Sequence, residues 1–332
     1  MRARRSTRPW VLALALALSG CGGLPGQGEV VTIAARDAYD FADFARPVSP
    51  GEEPVTLSAR LAMPDDGMAL RGAAILSHGA AGPGGRQVRA AEALNRAGIA
   101  TLIMDHFGGR GVRSVARDQI RVSEQTMLGD LVAARAVLAA RLGLDPARIG
   151  VAGWSKGATT TLLAALERPF RFAAPQGPPF AFAVAFYPFC GFELDAEATA
   201  APFLMLLGED DDWTPSGPCA RQAAAWAGRG AGAEAVVYPG ARHGFDSVSG
   251  TRSVGQAITV RRGDARCVLT LGLDGVTRGL DRVHDIATPE ARTAWLAECG
   301  VRGVSFGGDD AAREDALARM VRFATDALDR LP

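Results

Sequence analysis

The chain has 332 residues, 48% of them apolar, with 36 basic groups against 36 acidic ones. The length admits one or two domains and the apolar share is ample for a large buried sheet. The charge balance leaves no excess of basic groups, which argues against nucleic acid as a partner.

The amino end stands apart. Met1 to Arg8 carries four arginines and no acid, residues 11–18 are apolar, and Leu18-Ser19-Gly20-Cys21 follows. A charged stretch, a short apolar stretch and small residues make a secretory signal, too short for a stable membrane span. Leu-Ser-Gly-Cys resembles the bacterial lipobox, which implies cleavage before Cys21, a lipid on its thiol, and attachment to a membrane at the periplasmic side of the envelope or the cell surface. A plain signal peptide cut nearby, or a short anchor, is the competing reading. Residues 22–29 then read as a flexible tether, residues 21–50 as a tether and amino-terminal extension, and residues 51–332 as the folded domain. Loss of the four arginines in residues 1–20 leaves 32 basic groups against 36 acidic ones, a mild acidity that again speaks against nucleic acid.

From residue 55 strand and helix signals alternate without a linker, the mark of a single α/β core. Strands are expected at residues 55–61, 73–76 and 99–104, with a helix at 85–97 and a longer one at 124–142. Met127, Leu131, Ala134, Val137 and Leu138 give that longer helix one buried face. The last helix, residues 309–331, opens on an aspartate cap and turns Leu317, Met320, Val321, Ala324 and Leu328 inward.

Between the long helix and the next strand signal stands Gly153-Trp154-Ser155-Lys156-Gly157, after the apolar run 148–152 and before the helix-like run 158–166. A G-x-S-x-G that closes a strand and opens a helix is a nucleophile elbow, whose glycines permit a turn sharp enough to lift the serine oxygen clear of the backbone. A strand at 202–207 runs into Gly208-Glu209-Asp210-Asp211-Asp212-Trp213-Thr214-Pro215, and a strand at 235–238 into Pro239-Gly240-Ala241-Arg242-His243-Gly244-Phe245. Serine, acid and histidine thus follow in the chain order of α/β-hydrolases, each just past a strand's carboxyl end.

A serine hydroxyl becomes a nucleophile when a neutral imidazole takes its proton, and a buried carboxylate must hold that ring in one tautomer. Ser155 is the candidate nucleophile, His243 the base and Asp211 the orienting acid. Asp211 is chosen on its spacing from Gly208; Glu209, Asp210 and Asp212 stand beside it, and a solvated acidic loop is the bland alternative. Oxyanion donors are expected from the backbone N–H of Lys156 and from the loop His78-Gly79-Ala80-Ala81-Gly82, with Ala80 first and Gly79 second. That Gly/Ala loop is otherwise an ordinary tight connection. Lys156 is the only lysine beside 35 arginines, a bias attributed to codon composition, and its side chain is assigned no role. No metal, cofactor or nucleotide site is read from the spacing of acids, histidines or glycines, and the oligomeric state is not read.

Four cysteines remain beyond Cys21. Cys190 and Cys219 each follow a strand near one sheet edge and are expected to pair, closing a loop of about 29 residues that contributes roughly 3–4 kcal/mol. Cys267 with Cys299 is the complementary, weaker assignment, and free buried thiols are the alternative.

With these residues in view the chain resembles the dienelactone hydrolase family of α/β-hydrolases over about residues 55–248 and again in the last helix. The likeness is carried by the Ser155 elbow, Gly-Glu-Asp-Asp-Asp-Trp-Thr-Pro, Tyr-Pro-Gly-Ala-Arg-His-Gly-Phe, and Met104-Asp105-His106-Phe107-Gly108-Gly109-Arg110-Gly111. It implies a mostly parallel sheet with helices on both faces and hydrolysis of an ester or lactone without a cofactor. The founding lactonases use a cysteine nucleophile and a glutamate in the early loop, where this chain has Ser155 and His78-Gly79, so general esterase chemistry is favoured over lactone specificity. His106 replaces the family's usual serine; a surface or hydrogen-bonded structural role is favoured over a place in the pocket.

Residues 249–306 exceed the family pattern. They either cover the cleft or form a surface excursion stapled by Cys267 and Cys299, the second at least as strongly indicated, with His284 facing solvent. Two functions stand at this point: an exported lipid-anchored serine hydrolase acting through an acyl-enzyme, and a non-catalytic envelope lipoprotein of the same fold that binds a ligand or partner. An intact Ser155, Asp211 and His243 set favours the first.

Overall fold

A computed structural model describes residues 24–49, 51–194, 196–230, 232–261, 263–281 and 285–332. The signal segment, Cys21 and His284 lie outside them. At the centre is an eight-stranded sheet of β1 (Glu29–Ala35), β2 (Val55–Ala62), β3 (Gly72–Ser77), β4 (Ile99–Asp105), β5 (Ile149–Trp154), β6 (Ala183–Phe186), β7 (Phe203–Gly208) and β8 (Ala233–Tyr238), in the order β1-β2-β4-β3-β5-β6-β7-β8. β1, β2 and β4 pair antiparallel and every later pairing is parallel.

The burial patterns explain this layout. Every residue of β3, β5, β6 and β7 is buried, as parallel strands covered on both faces require. β1 instead alternates, with Val31, Ile33 and Ala35 inward and their neighbours exposed, the pattern of a half-solvated antiparallel edge. Residues 29–35, assigned to the tether and extension from sequence, are therefore part of the sheet. Their short alternating run follows a glycine-rich stretch that masks it.

Helices seal both faces. α1 (Gly85–Asn95) and the last helix, Asp310–Asp329, pack Leu94, Met320 and Leu328 against one side. α2 (Glu124–Leu142), α3 (Lys156–Ala165) and Ser216–Ala227 pack Leu131, Leu162 and Trp226 against the other. Ser123 caps α2 by accepting the Thr126 N–H at 3.0 Å.

Residues 249–306 are a built lobe. Strand Arg252–Val260 pairs antiparallel with strand Gly300–Phe306, and helix Pro289–Cys299 precedes the latter. Cys267 and Cys299 are bonded across this lobe, and Cys190 and Cys219 within the core. The lobe is fastened to the acid loop: Trp213 Nε1 donates to the Ile258 carbonyl at 3.1 Å, Thr259 Oγ1 to the Trp213 carbonyl at 2.7 Å, and the Ser305 N–H to Asp212 at 2.8 Å. The stretch thus carries the Cys267–Cys299 staple expected of a surface excursion and is also docked on the sheet's carboxyl edge, where a cover for the cleft would stand.

Candidate active site

The elbow is forced by crowding. A Cβ on Gly153 would stand 2.2 Å from the Gly157 carbonyl oxygen, and one on Gly157 2.3 Å from that of Ser77, so both positions admit glycine alone. Ser155 itself sits at φ 53°, a conformation that L residues avoid and that aims its side chain away from strand and helix. Its N–H is tied to the Phe186 carbonyl at 2.9 Å, which anchors the turn to the neighbouring strand.

Three loops at strand carboxyl ends converge here. His243 Nε2 lies 3.0 Å from Ser155 Oγ, and His243 Nδ1 lies 2.9 Å from Asp211 Oδ2. Asp211 Oδ1 accepts the backbone N–H groups of Trp213 at 2.9 Å and Thr214 at 2.7 Å, and Thr214 Oγ1 lies 3.0 Å from Oδ2. The carboxylate is thus satisfied by neutral dipoles, and no cation is bonded to it among the described residues. Asp212 points instead to the lobe strand, and Asp210 is 3.9 Å from Arg242 at the surface. Of the four neighbouring acids, Asp211 is the one that meets the histidine.

Sequence reading missed what holds His243. The ring of Tyr187 packs edge-on at 4.6 Å and that of Trp213 lies at 4.7 Å. Tyr187 is fully buried at φ 44°, donates its hydroxyl to Asp246 at 2.5 Å, accepts from Arg86 at 2.7 Å, and offers its carbonyl to Thr214 Oγ1 at 3.0 Å. Burial drives its phenol pKa well above the ordinary value, so it remains a donor. Its only sequence signal was a tyrosine at a strand end, before Pro188.

The loop after β3 lies against the nucleophile: a Cβ on Gly79 would be 3.2 Å from Ser155 Cβ. His78 is fully buried, and burial with neighbouring His106 pulls its pKa down to about 3. It accepts the His106 N–H on Nε2 at 3.1 Å, so Nδ1 carries the proton and donates to the Gly79 carbonyl at 2.8 Å. The Gly82 N–H donates to that same carbonyl at 3.1 Å. In a trans peptide this turns the Ala80 N–H to the opposite side. His106 has the hydrogen-bonded structural place expected of it, between Ser77 Oγ at 3.0 Å and Asp130 Oδ2 at 2.8 Å.

Lys156 requires a correction. Its side chain, assigned no role from sequence, is buried and donates from Nζ to Glu124 Oε1 at 2.6 Å and the Gln119 carbonyl at 3.0 Å. Burial pushes the Glu124 carboxyl up, but Lys156 and Arg292 outweigh it and hold the group below its usual range, hence ionised. Beside Ser155 opens a cavity of about 360 Å³ whose walls include Lys156, Phe189 and Trp213 from the core and Ile258, Trp295 and Leu296 from the lobe.

An eight-stranded sheet of this order, with a serine elbow and a histidine and acid on later strand ends, defines the α/β-hydrolase fold. Residues 86–261 match the family model of the dienelactone hydrolase family, and the chain belongs to it. A dienelactone hydrolase-like promiscuous phosphotriesterase from metagenomic libraries has the same fold at 12% identity and a TM-score of 0.53, covering 90% of this chain and 98% of its own. Esterase 2 of Thermogutta terrifontis is similar at 22% identity, 68% and 87% coverage and TM-score 0.48. An α/β serine hydrolase without lid from Xanthomonas campestris is similar at 19%, 67% and 88%, and 0.46. No curated protein matches the chain.

Proposed function

We propose that the protein is a serine hydrolase that cleaves an ester-like bond in a small molecule through an acyl-enzyme on Ser155. The observation that carries this reading is the unbroken hydrogen-bond path from Ser155 through His243 to Asp211. Ser155 Oγ attacks the acyl carbon as His243 Nε2 takes the hydroxyl proton. The negative oxygen that forms is met by the backbone N–H of Lys156 and that of Ala80, with Gly79 the alternative second donor. The carbon–oxygen bond to the alcohol then breaks as His243 returns the proton to the leaving oxygen. Water, activated by the same ring, repeats the sequence to free the acid and restore Ser155.

The uncompensated charge on Asp211 supports this use, because it offsets the imidazolium formed at each proton transfer. We further propose that residues 1–20 are a lipoprotein signal and that Cys21 carries the lipid, which sets the domain at the periplasmic side of the envelope or the cell surface. Residues 29–49 then belong to the folded domain rather than to the tether. Membrane fractionation checks the anchor: Cys21→Ser moves the protein to the soluble fraction if the reading holds. For the chemistry, p-nitrophenyl esters are hydrolysed by the domain lacking the lipid cysteine and not by Ser155→Ala. A folded domain inert toward every ester would leave the binding-protein alternative in its place.

A further inference from the structure

The cavity beside Ser155 has an orientation. Ser155 and Lys156 line it and His243 does not. The leaving oxygen must reach His243 Nε2 for its proton, so the substrate arm that fills this cavity is the acyl arm. At about 360 Å³ it lies within the usual size range of small-molecule sites, roughly 300–1,000 Å³. Phe189, Phe192, Ile258, Ile286, Trp295 and Leu296 give it apolar walls, four of the six from residues 249–306. The lobe of residues 249–306, most of it past the family match that ends at residue 261, therefore shapes the space open to the acyl chain.

The wall also carries charged groups, Arg117, Asp118, Glu124, Lys156, Arg292 and Arg302 among them. Arg292, in the lobe helix, lines the cavity with its side chain only 10% exposed, and its Nε donor is buried without a hydrogen-bond partner. Its guanidinium lies 4.8 Å over the ring of Tyr39, whose hydroxyl is likewise buried and unpartnered. Glu124 Oε2 is 3.6 Å from the guanidinium, and Glu124 is in turn bound to Lys156, so Arg292 stands beyond Lys156 and Glu124 as seen from the elbow. That Nε is sealed against protein and out of a ligand's reach, but neither terminal nitrogen makes a hydrogen bond among the described residues, with Glu124 3.6 Å away, so an acceptor on a bound ligand completes the hydrogen bonding of the guanidinium.

We propose that the acyl group this enzyme takes ends in an oxygen acceptor, a carboxylate or an ester carbonyl, that receives a hydrogen bond from Arg292. The assignment rests on Ser155 being the nucleophile. It makes Arg292 a specificity-determining residue and the acyl group a difunctional one, apolar along its length and polar at its distal end.

The test compares p-nitrophenyl hexanoate with p-nitrophenyl monoesters of adipic acid whose distal end is free or methyl-esterified. The wild type is expected to favour an oxygen-ended ester over hexanoate by roughly tenfold or more in kcat/KM, the range of one hydrogen bond to a charged donor. Preference for the free acid alone identifies a carboxylate, and preference for both a neutral acceptor; each supports the proposal. Arg292→Met brings the ratio to about one, and because the ratio is taken within one variant, partial misfolding does not mimic the result. Ile258→Trp, which fills the apolar wall, shortens the acyl length accepted. A wild type that prefers hexanoate, or an Arg292→Met variant that keeps the ratio, overturns the proposal. A wild type that hydrolyses none of the esters and takes no fluorophosphonate label overturns the nucleophile assignment beneath it.

Discussion

The molecule holds two Ser–His–Asp sets of nearly the same dimensions. Ser155–His243–Asp211 has contacts of 3.0 and 2.9 Å, and Ser77–His106–Asp130 of 3.0 and 2.8 Å. Two differences separate them. Ser77, His106 and Asp130 are wholly buried, whereas Ser155 borders a cavity from a strained turn. Asp130 is also gripped by Arg110 through two contacts of 2.9 Å, while Asp211 is held by backbone N–H groups and a hydroxyl. A carboxylate neutralised by a guanidinium has little field left to stabilise an imidazolium. One bound by neutral dipoles keeps its full charge for that purpose. Hydrogen-bond lengths alone therefore do not define a catalytic triad; access, backbone strain at the serine and the uncompensated acid do.

The comparison is sharpened most by Asp211→Asn. It leaves the packing nearly unchanged but favours the wrong His243 tautomer, and kcat toward p-nitrophenyl esters is expected to fall by about 10⁴. Asp212→Ala, which removes only the tie to Ser305, leaves kcat within a few-fold. Reversal of these two results would move the acid by one residue.

Acid exposes the sealed region. His78 has its pKa pulled down to about 3 from an ordinary 6.5. Between those values the unfolded chain binds a proton on this ring that the folded chain refuses. The stability associated with neutral His78 is complete above pH 6.5 and is lost as pH falls from there toward 3, a loss on the order of 5 kcal/mol over the full window. Denaturant melts across this range should show that decline, and His78→Gln, which does not titrate, should flatten it. A slope unchanged in His78→Gln would refute the assignment.

The sealed set is broken next by Asp130→Asn, which strands Arg110 among buried groups and is expected to destabilise the fold by about 3–5 kcal/mol. Urea melts read the loss. The kcat per folded molecule should stay within a few-fold, because this carboxylate meets no substrate. Ser77→Ala is the mildest change, removing one buried hydroxyl for about 1 kcal/mol of stability, with esterase activity retained. A Ser77→Ala variant that folds but is inactive would erase the distinction between the sets.

What was legible in the sequence was local or tied to strand ends. The elbow could be read because its pattern is contiguous, with Gly153 imposed by Gly157 four residues on although Gly157 is itself imposed by distant Ser77, and Asp211 because its loop geometry is fixed from Gly208. The buried runs of β3, β5 and β7 disclosed a covered parallel sheet. Contacts between distant segments were hidden. Tyr187 owes its position to Arg86 and Asp246, Lys156 is partnered by Glu124 in another helix, and the lobe strands pair across about forty intervening residues. No spacing rule reports such meetings. β1 was missed although Val30, Val31, Thr32 and Ile33 are strand formers, because the glycine-rich run just before it reads as a tether and its partner β2 lies about twenty residues on.

The central claim is that the open set reacts and the sealed one does not. Treatment of the folded domain with a fluorophosphonate, followed by peptide mapping, tests it directly. The account predicts a single adduct on Ser155 and none on Ser77. An adduct on Ser77, or a folded protein that takes none at all, would contradict it.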